Sequence, residues 1–427
     1  MSRQSFAKNL LSIFGLGMIV AATGVGAGDL AISAMKGHDH GAAILWAVLL
    51  GCLFKFLASE GIARYQLATG ETLLEGVVLR LSPAFRVAIL IYLPIWTALV
   101  AIMLMSAAGV AANSIYKLPG FTDAQGKMLY GAAHSLIAVA VIWRGGFKWF
   151  ERLMAICVAL MTAGVLYSAI KLSVAPAALT EPATILTPPS VRSVIELIGG
   201  VGGTVSLLSY SYWLREAGRS GREDLQTCRL DLFTGYLMTA LFAGSMVVIG
   251  SQVAFKADNS NTRILLNIAG TLQKQIGDVG RWTFLLGAWA AIASSVLGVW
   301  QGTPYLFADL MALAKERKSG VKLAPVESTG KLYRGYLAAM AILPIPGVYF
   351  LPFATIGRLY AITGALVVPA LCIVLIRLNG SVRIVGDFRN RALTTIILVA
   401  VILFFFAAGG IELYDNISAL TNPPISR

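Results

Sequence analysis

Long runs of apolar residues, separated by short polar or glycine- and proline-rich segments, make up most of this chain. A helix of about 20 apolar residues is long enough to cross the ~30 Å hydrocarbon core of a bilayer. Segmentation at the polar breaks therefore predicts about eleven membrane-spanning helices. We place these spans at 12–35, 42–63, 88–113, 128–143, 153–171, 193–214, 230–254, 282–311, 335–353, 356–376 and 392–413.

The composition agrees with this pattern. Of the 427 residues, 57% are hydrophobic and only 13% are charged, and the mean hydropathy is +0.76. The first apolar run continues into the rest of the chain without a cleavage site, so we expect no removable signal peptide. We predict an all-α polytopic membrane protein without a separate soluble domain.

Lysine and arginine are distributed unevenly between the two sets of loops. With the N-terminus inside, the inner loops contain about twice as many of these residues as the outer loops, which favours a cytoplasmic N-terminus. The net charge of +13 then reflects topology and contact with anionic lipids, not binding of nucleic acid. We predict a bacterial-type cytoplasmic (inner) membrane as the location and the lipid bilayer as a partner.

Several classes of function are not supported by the sequence. The four cysteines stand singly inside apolar runs, which indicates neither a disulfide framework nor a CxxC metal site. No nucleophile elbow, paired His/Glu zinc motif or phosphate-binding loop is present, so we do not expect an enzyme. We expect no resident cofactor either.

Two glycine-rich interruptions stand inside predicted spans 1 and 6. They read "AATGVGAGDL" and "GGVGGTVSLL", and Gly24 and Gly200 mark positions 176 residues apart. Five spans per repeat is an odd number, so the second repeat would be inverted relative to the first. We predict a first five-helix repeat at 1–175, a second at 190–378 and an extra C-terminal helix at 390–427, which together form one transport domain.

Matched breaks in two inverted halves indicate a binding site at the membrane midplane. Unwound backbone is tolerated at that depth only where protein, water or a ligand satisfies its polar groups. Asp29 is the strongest candidate, because an ionisable side chain inside an apolar span is functional or paired by default. The alternatives are that the glycines only permit close helix packing and that Asp29 is a structural partner of a neighbouring group.

The chain resembles the NRAMP divalent-metal transporters, which have the LeuT-type fold of two inverted five-helix repeats with broken helices 1 and 6. The stretch "GLGMIVAATGVGAGDL" and the following "GAAILWAVLLGCLFKFLASEGIARYQLATGETLLEG" are similar to the family's spans 1 and 2. "GGTVSLLSYSYWLRE" is similar to span 6, and "ASSVLGVWQG" to span 8. The resemblance covers nearly the whole chain.

The motifs depart from the family pattern at the metal site. The Asp-Pro-Gly-Asn of span 1 corresponds here to 26–29, so the metal-binding aspartate becomes Gly26 and the only carboxylate, Asp29, falls on the asparagine. In span 6 the thioether ligand becomes Ser206 and the histidine becomes Leu208. Carboxylate and hydroxyl oxygens favour Mg²⁺, Ca²⁺ or Mn²⁺ over softer metals. The resemblance thus implies a hard divalent cation, best Mg²⁺ or Mn²⁺.

The site residues that follow are Asp29 and Ser206 as metal ligands, with Gly26, Gly28, Gly203 and Tyr210 as further substrate-binding positions. The family's acidic residues of span 3 correspond to Ala101 and Leu104, and a glutamine of span 10 to Ala365 or Leu366. The usual proton coupling is therefore expected to be absent, which leaves a channel-like uniporter or a Na⁺-coupled carrier.

Other polar residues have simpler interpretations. Glu60 and Arg64 have the i,i+4 spacing of a helical ion pair, and we predict a structural pair near an inner gate. His134 is expected to be a packed or hydrogen-bonded histidine. The "HDH" at 38–40 is expected in a short, solvated external loop.

A different class of function stays open. Glycine-rich breaks also occur in amino-acid carriers of the same fold, where free N–H groups and a helix N-terminus hold a carboxylate. The alternative is a Na⁺-coupled carrier of a small anion, such as bicarbonate, or of an amino acid, with Asp29 binding Na⁺. A non-transporting sensor or scaffold is the third interpretation.

Overall fold

The computed structural model describes residues 15–174, 189–203, 205–253, 261–319, 324–351 and 353–421. The regular structure in these ranges is entirely helical. The helices are α1 Leu16–Gly24, α2 Ala27–His40, α3 Leu45–Thr69, α4 Leu73–Arg80, α5 Pro83–Ile115, α6 Asp123–Val174, α7 Val191–Gly200, α8 Ser206–Glu216, α9 Asp224–Gly250, α10 Asn261–Ser319, α11 Lys331–Ile342, α12 Ile345–Phe350, α13 Phe353–Asn379, α14 Val382–Val385 and α15 Ala392–Thr421.

Each predicted span coincides with a helix, a pair of short helices or part of a bent helix. Span 1 consists of α1 and α2, and span 6 consists of α7 and α8, so both predicted breaks are present. Among the described residues, six helices are long and apolar enough by themselves to cross a membrane, or seven if one bent pair is counted. This number is lower than eleven because the halves of broken spans are short, the second half of span 1 merges with span 2, and only Ala392–Ala407 of span 11 is counted.

Two long helices each bend at a glycine whose φ angle is positive, in the left-handed region of backbone conformation. Spans 4 and 5 form one helix, α6, that bends at Gly146, where φ is +65°. Span 8 is preceded by a helical arm from residue 261 that joins it at Gly277, where φ is +77°. The short helix α4 and this arm were not among the predicted elements.

Helix α9, which is span 7, lies very close to both halves of span 1. The backbone of Asp231 leaves no room for a Cβ on Gly17, and the backbone of Gly17 leaves none on Gly235. At the other end, Val247 excludes a Cβ on Gly37, and Ala34 excludes one on Gly250. Small residues allow helix backbones to touch in this way inside membranes.

The remaining helices surround this core. The most extensive packing joins α10 to α6, and α5 packs on both. Large apolar side chains such as Leu49, Ile91 and Leu403 are exposed on the outside, as expected for surfaces that contact lipid. The predicted repeat 190–378 begins at α7 and ends within α13, while residues 1–14 and 422–427 of the outer units lie outside the described residues.

Candidate functional site

The breaks in spans 1 and 6 lie against each other. A Cβ on Gly24 would be 2.7 Å from the carbonyl group of Gly202, and a Cβ on Gly203 would be 3.1 Å from the Cα of Gly24. Gly202 and Gly203 have φ angles of +80° and +75°, a region that glycine enters without steric cost. Glycine is therefore needed here both for the turn and for the contact between the two spans.

Asp29 ties the two breaks together. Its side chain is buried, with the residue only 3% exposed. Oδ2 accepts a hydrogen bond of 3.0 Å from the N–H of Gly26, which is the helix-capping bond made by a carboxylate at the third position of a helix. Oδ1 accepts a bond of 2.7 Å from the N–H of Gly202 in span 6. A carboxylate has about four lone-pair positions, so about two remain for a cation.

The carbonyl groups released at the break in span 1 accept hydrogen bonds from α10. The single hydroxyl proton of Ser295 can be donated to the carbonyl of Val25, 2.8 Å from Oγ, or to that of Thr23, 3.1 Å from Oγ. Ser294 Oγ donates to the carbonyl of Ala22 at 3.0 Å. Uncharged hydroxyl groups of span 8 thus satisfy this break, as buried carbonyl groups require.

A lysine from span 2 satisfies the carbonyl groups of the other break. Lys55 Nζ donates to the carbonyl of Gly199 at 3.0 Å and also to the carbonyl of Val201. Lys55 is 3% exposed, and its charge lies close enough to Asp29 for the two to attract each other. A cation at a helix C-terminus gains about 0.3–2 kcal/mol from the helix dipole, which helps to offset the cost of burying the ammonium group.

The structure places the other predicted positions as follows. Ser206 begins α8, and its Oγ would be 2.5 Å from a Cβ on Gly203. Gly28 lies in the first turn of α2, half-buried. Tyr210 is fully buried, and its electrostatic neighbours are Cys228, Asp231 and Arg219 rather than Asp29. Tyr210 therefore belongs to a different set of polar residues from the two breaks.

Span 3 presents apolar groups to the breaks. A Cβ on Gly26 would be 3.8 Å from Cδ2 of Leu104, and a Cβ on Gly28 would be 3.8 Å from the terminal methyl group of Met103. Ala101 is also fully buried. In span 10, Leu366 is 64% exposed and so faces away from the bundle, while the side chain of Ala365 lies outside the described residues.

Glu60 and Arg64 form the predicted ion pair, with Arg64 Nε 2.7 Å from Glu60 Oε2. Arg229 of α9 also binds Glu60 Oε1, at 2.7 Å. Arg64 donates further hydrogen bonds of 2.8 Å to the carbonyl of Phe388 and to Oδ1 of Asn390. The pair therefore connects span 2 to span 7 and to the segment between spans 10 and 11.

A second polar network, partly buried, includes residues of α8 in span 6, on the predicted cytoplasmic side. Tyr212 donates to Oδ2 of Asp309 at 2.6 Å, and Thr72 donates to the same oxygen at 3.2 Å. Arg215 pairs with Glu75 at 3.0 Å. Spans 6 and 8 and helix α4 are joined by these contacts.

His134 and His40 both contact polar groups of neighbouring residues. His134 contacts the carbonyl of Tyr130 through Nδ1 at 2.7 Å and accepts a hydrogen bond from Trp289 Nε1 through Nε2 at 2.8 Å, as expected for a hydrogen-bonded histidine. The expectation of a loop at 38–40 was wrong, because these residues form the last turn of α2. His40 is buried there, 2.8 Å from the hydroxyl of Ser193.

Clusters of three or more His, Cys, Asp or Glu that could hold a metal are absent from the described part of the chain. All four cysteines are buried and free.

The family model described as "Natural resistance-associated macrophage protein-like" matches residues 17–415. This match includes both breaks and nearly all the spans. The chain belongs to the Nramp family. It is therefore an integral membrane protein of a family of metal transporters and not an enzyme, as the sequence motifs indicated. No curated protein sequence matches the chain.

Solved structures show the same fold as this Nramp chain. A manganese transporter of Eremococcus coleocola, solved with an aromatic bis-isothiourea compound, has a TM-score of 0.72 and 16% identity over 100% of this chain and 91% of its own. MhsT with L-phenylalanine has a TM-score of 0.60 and 15% identity, covering 92% and 98%. Mhp1, a nucleobase-cation-symport-1 transporter, has a TM-score of 0.59 and 12% identity, covering 97% and 94%. The predicted LeuT-type fold is confirmed.

Lys55 contacts the break in span 6 and was not predicted from the sequence of this Nramp chain, and neither were Ser294 and Ser295. A lysine inside the apolar run of span 2 is itself a signal, since intramembrane ionisable residues are rare and usually functional. Its partners are carbonyl groups of span 6, 144 and 146 residues away. Only the structure shows that the end of α7 meets this side chain.

Proposed function

We propose that this Nramp-family transporter carries a hard divalent cation, Mg²⁺ or Mn²⁺, by alternating access, with the ion held at the membrane midplane between the two breaks. The proposed ligands are the carboxylate of Asp29, the hydroxyl of Ser206 and nearby backbone oxygens, with Gly26, Gly28 and Gly203 allowing close approach of the backbone.

One observation carries this proposal. Carbonyl oxygens of Gly199 and Val201 already converge on a positively charged group, the ammonium of Lys55, beside Asp29. Oxygen ligands of this kind suit hard cations. The nearby thioether, Met103, presents its methyl group toward Gly28. The Eremococcus coleocola transporter of the same fold is a manganese transporter, which further supports a divalent cargo.

Transport is proposed to proceed without the usual proton coupling. The groups of span 3 that face the breaks are apolar, and proton transfer there would need a titratable side chain. We further propose that the protein lies in a bacterial-type inner membrane with a cytoplasmic N-terminus. Glu60 and Arg64 are proposed to stabilise an inner gate through their contacts with span 7.

Uptake into proteoliposomes tests the proposal. Wild-type protein is expected to take up Mn²⁺ or Mg²⁺ in a saturable manner that does not change when a pH gradient is imposed. Asp29→Asn should abolish uptake. Asp387→Asn, which removes a carboxylate at an exposed surface pair with Arg222, is the matched control and should transport normally. Uptake that persists in Asp29→Asn would contradict the proposed site.

The alternative is a Na⁺-coupled carrier of bicarbonate or an amino acid. Lys55 favours it, because a buried ammonium group can pair with the carboxylate of a substrate. In this case anion binding should require Lys55 and increase with Na⁺, and divalent cations should have no effect. The same liposomes, loaded with labelled bicarbonate or amino acids, distinguish the two functions.

A further inference from the structure

We propose that Lys55 is a built-in counter-cation: its ammonium group occupies the cation position at the end of α7 when no cargo is bound, and the divalent cation and docked Lys55 exclude each other. This inference rests on the proposed function and adds a regulatory element to the same site.

The position of Lys55 is that of a bound cation. Its ammonium lies at the C-terminal end of α7, where backbone carbonyl groups point out of the helix. Two of these carbonyls accept its hydrogen bonds, and the negative charge of Asp29 lies nearby. A small cation at the same place would meet the same oxygens and the same charge.

Simultaneous occupation is excluded by distance and charge. Mg²⁺ binds oxygen at about 2.0–2.1 Å. An ion bound to the carbonyl oxygens of Gly199 and Val201 would therefore occupy the place of the Lys55 ammonium group. A divalent ion beside a retained ammonium group would also repel it strongly in a buried environment. Cargo binding at these oxygens therefore requires that Lys55 leave them.

The surroundings of Lys55 restrict where it can go. The adjacent cavity has a volume of about 20 Å³ and is lined mainly by apolar side chains, among them Phe54, Ile198, Leu207 and Leu371. Such a space holds about one water molecule and offers few polar partners. Release of Lys55 is therefore expected to accompany a movement of α7 relative to α3, and docking of Lys55 holds these helices together in the empty carrier.

Calorimetric titration of Mn²⁺ into the purified full-length protein tests this inference. Lys55→Met keeps the length of the side chain and removes its charge, so it should bind Mn²⁺ about tenfold more tightly than wild type or better, equivalent to about 1.4 kcal/mol. Lys55→Arg keeps the charge and should bind Mn²⁺ no more tightly than wild type. Lys36→Met is the matched control and should bind Mn²⁺ as wild type does. Lys36 lies near the end of α2, away from the break in span 1, and pairs with Glu196 of α7.

A second measurement uses Lys55→Ala with methylammonium. The free cation should bind in place of the missing side chain and weaken Mn²⁺ binding to this variant, while Mn²⁺ binding to wild type should not respond. Correct folding is checked by gel filtration and by thermal unfolding, and if Lys55→Met does not fold, the Arg and Ala variants decide.

The outcomes separate the two proposals. Mn²⁺ binding to wild type that Lys55→Met leaves unchanged or weakens would overturn the counter-cation role and leave the proposed function intact. Tighter binding in Lys55→Arg, or no competition by methylammonium in Lys55→Ala, would overturn it as well. If no folded variant binds Mn²⁺ or Mg²⁺, both proposals fail together.

Discussion

The break in span 1 and the break in span 6 solve one problem in two ways. Each interrupts a membrane helix and frees carbonyl groups that need donors. In span 1 the donors are the hydroxyl groups of Ser294 and Ser295, which are neutral and have no charge to exchange. In span 6 the donor is the ammonium of Lys55. The cation exchange proposed above can therefore occur only at the second break.

The largest effect is expected at the residue that both breaks share. Asp29→Ala removes the acceptor of two backbone N–H groups, and bonds to a charged acceptor contribute about 1.5–3 kcal/mol each. We expect a loss of about 3 kcal/mol or more in stability, measured by unfolding in detergent, together with loss of cation binding. Asp29→Asn keeps one acceptor oxygen and should be more stable than Asp29→Ala; equal stability would show that the two breaks are not held together by this carboxylate.

Alanine substitutions at the two breaks should have the next largest effects, and the loss of stability should differ between the breaks. Gly203→Ala forces a side chain into a left-handed conformation, which costs about 1–2 kcal/mol, and brings it against Ser206 and Gly24. Gly26 has a φ of −134°, so Gly26→Ala adds no left-handed strain, and its one contact under 3 Å is with Ser295 Oγ at 2.8 Å. Unfolding in detergent should therefore show the greater loss in Gly203→Ala. The reverse order would mean that the contact with Ser295 outweighs backbone strain.

The neutral donors that span 8 provides to span 1, Ser294 and Ser295, should affect stability without affecting binding of the cargo. Ser295→Ala leaves the carbonyls of Thr23 and Val25 without this donor, at an expected cost of about 1–2 kcal/mol. Mn²⁺ affinity should stay at the wild-type value in calorimetry. Ser294→Ala is a useful comparison and should cost less, because the Ser294 hydroxyl is shared between the carbonyl of Ala22 in span 1 and that of Ala291 in its own helix, at 2.9 Å. A changed affinity in either variant would mean that span 8 takes part in binding.

The smallest effect is expected at Met103. Met103→Leu is close to volume-conserving and should change stability by less than about 1.5 kcal/mol. If the cargo is held by oxygen ligands alone, the affinities for Mn²⁺ and for the softer Cd²⁺ should both be unchanged. A selective loss of Cd²⁺ binding would show that the thioether reaches the ion and that the site is softer than proposed.

Much of this architecture could be predicted from local sequence patterns. Apolar runs predicted the spans, and the repeated Gly-Val-Gly predicted the breaks, because both signals depend on neighbouring residues. The i,i+4 spacing predicted the contact between Glu60 and Arg64 for the same reason. The third partner, Arg229, could not be predicted, since it is 169 residues from Glu60 and meets it only through the packing of span 7 on span 2.

The polar contacts of the breaks show the same limit. The sequence indicated that freed backbone groups need partners but not that Lys55 and Ser295 are those partners, because helix order around the breaks decides which side chains reach them. His40 was misplaced because its glycine-containing neighbourhood resembles a turn, yet α2 continues through Gly37, where Val247 packs against it. Tertiary packing here overrides a weak local preference.

The close packing of α9 on span 1 determines which break can act as a hinge. α9 is one uninterrupted helix, and it touches α1 at Gly17 and α2 at Ala34 and Gly37, on both sides of the break. Because α9 contacts both α1 and α2, a change in the angle between α1 and α2 would break one of these contacts. We therefore expect the break in span 1 to keep its angle during the proposed transport cycle, and the proposed opening to come from helices that α9 does not contact on both sides of a break.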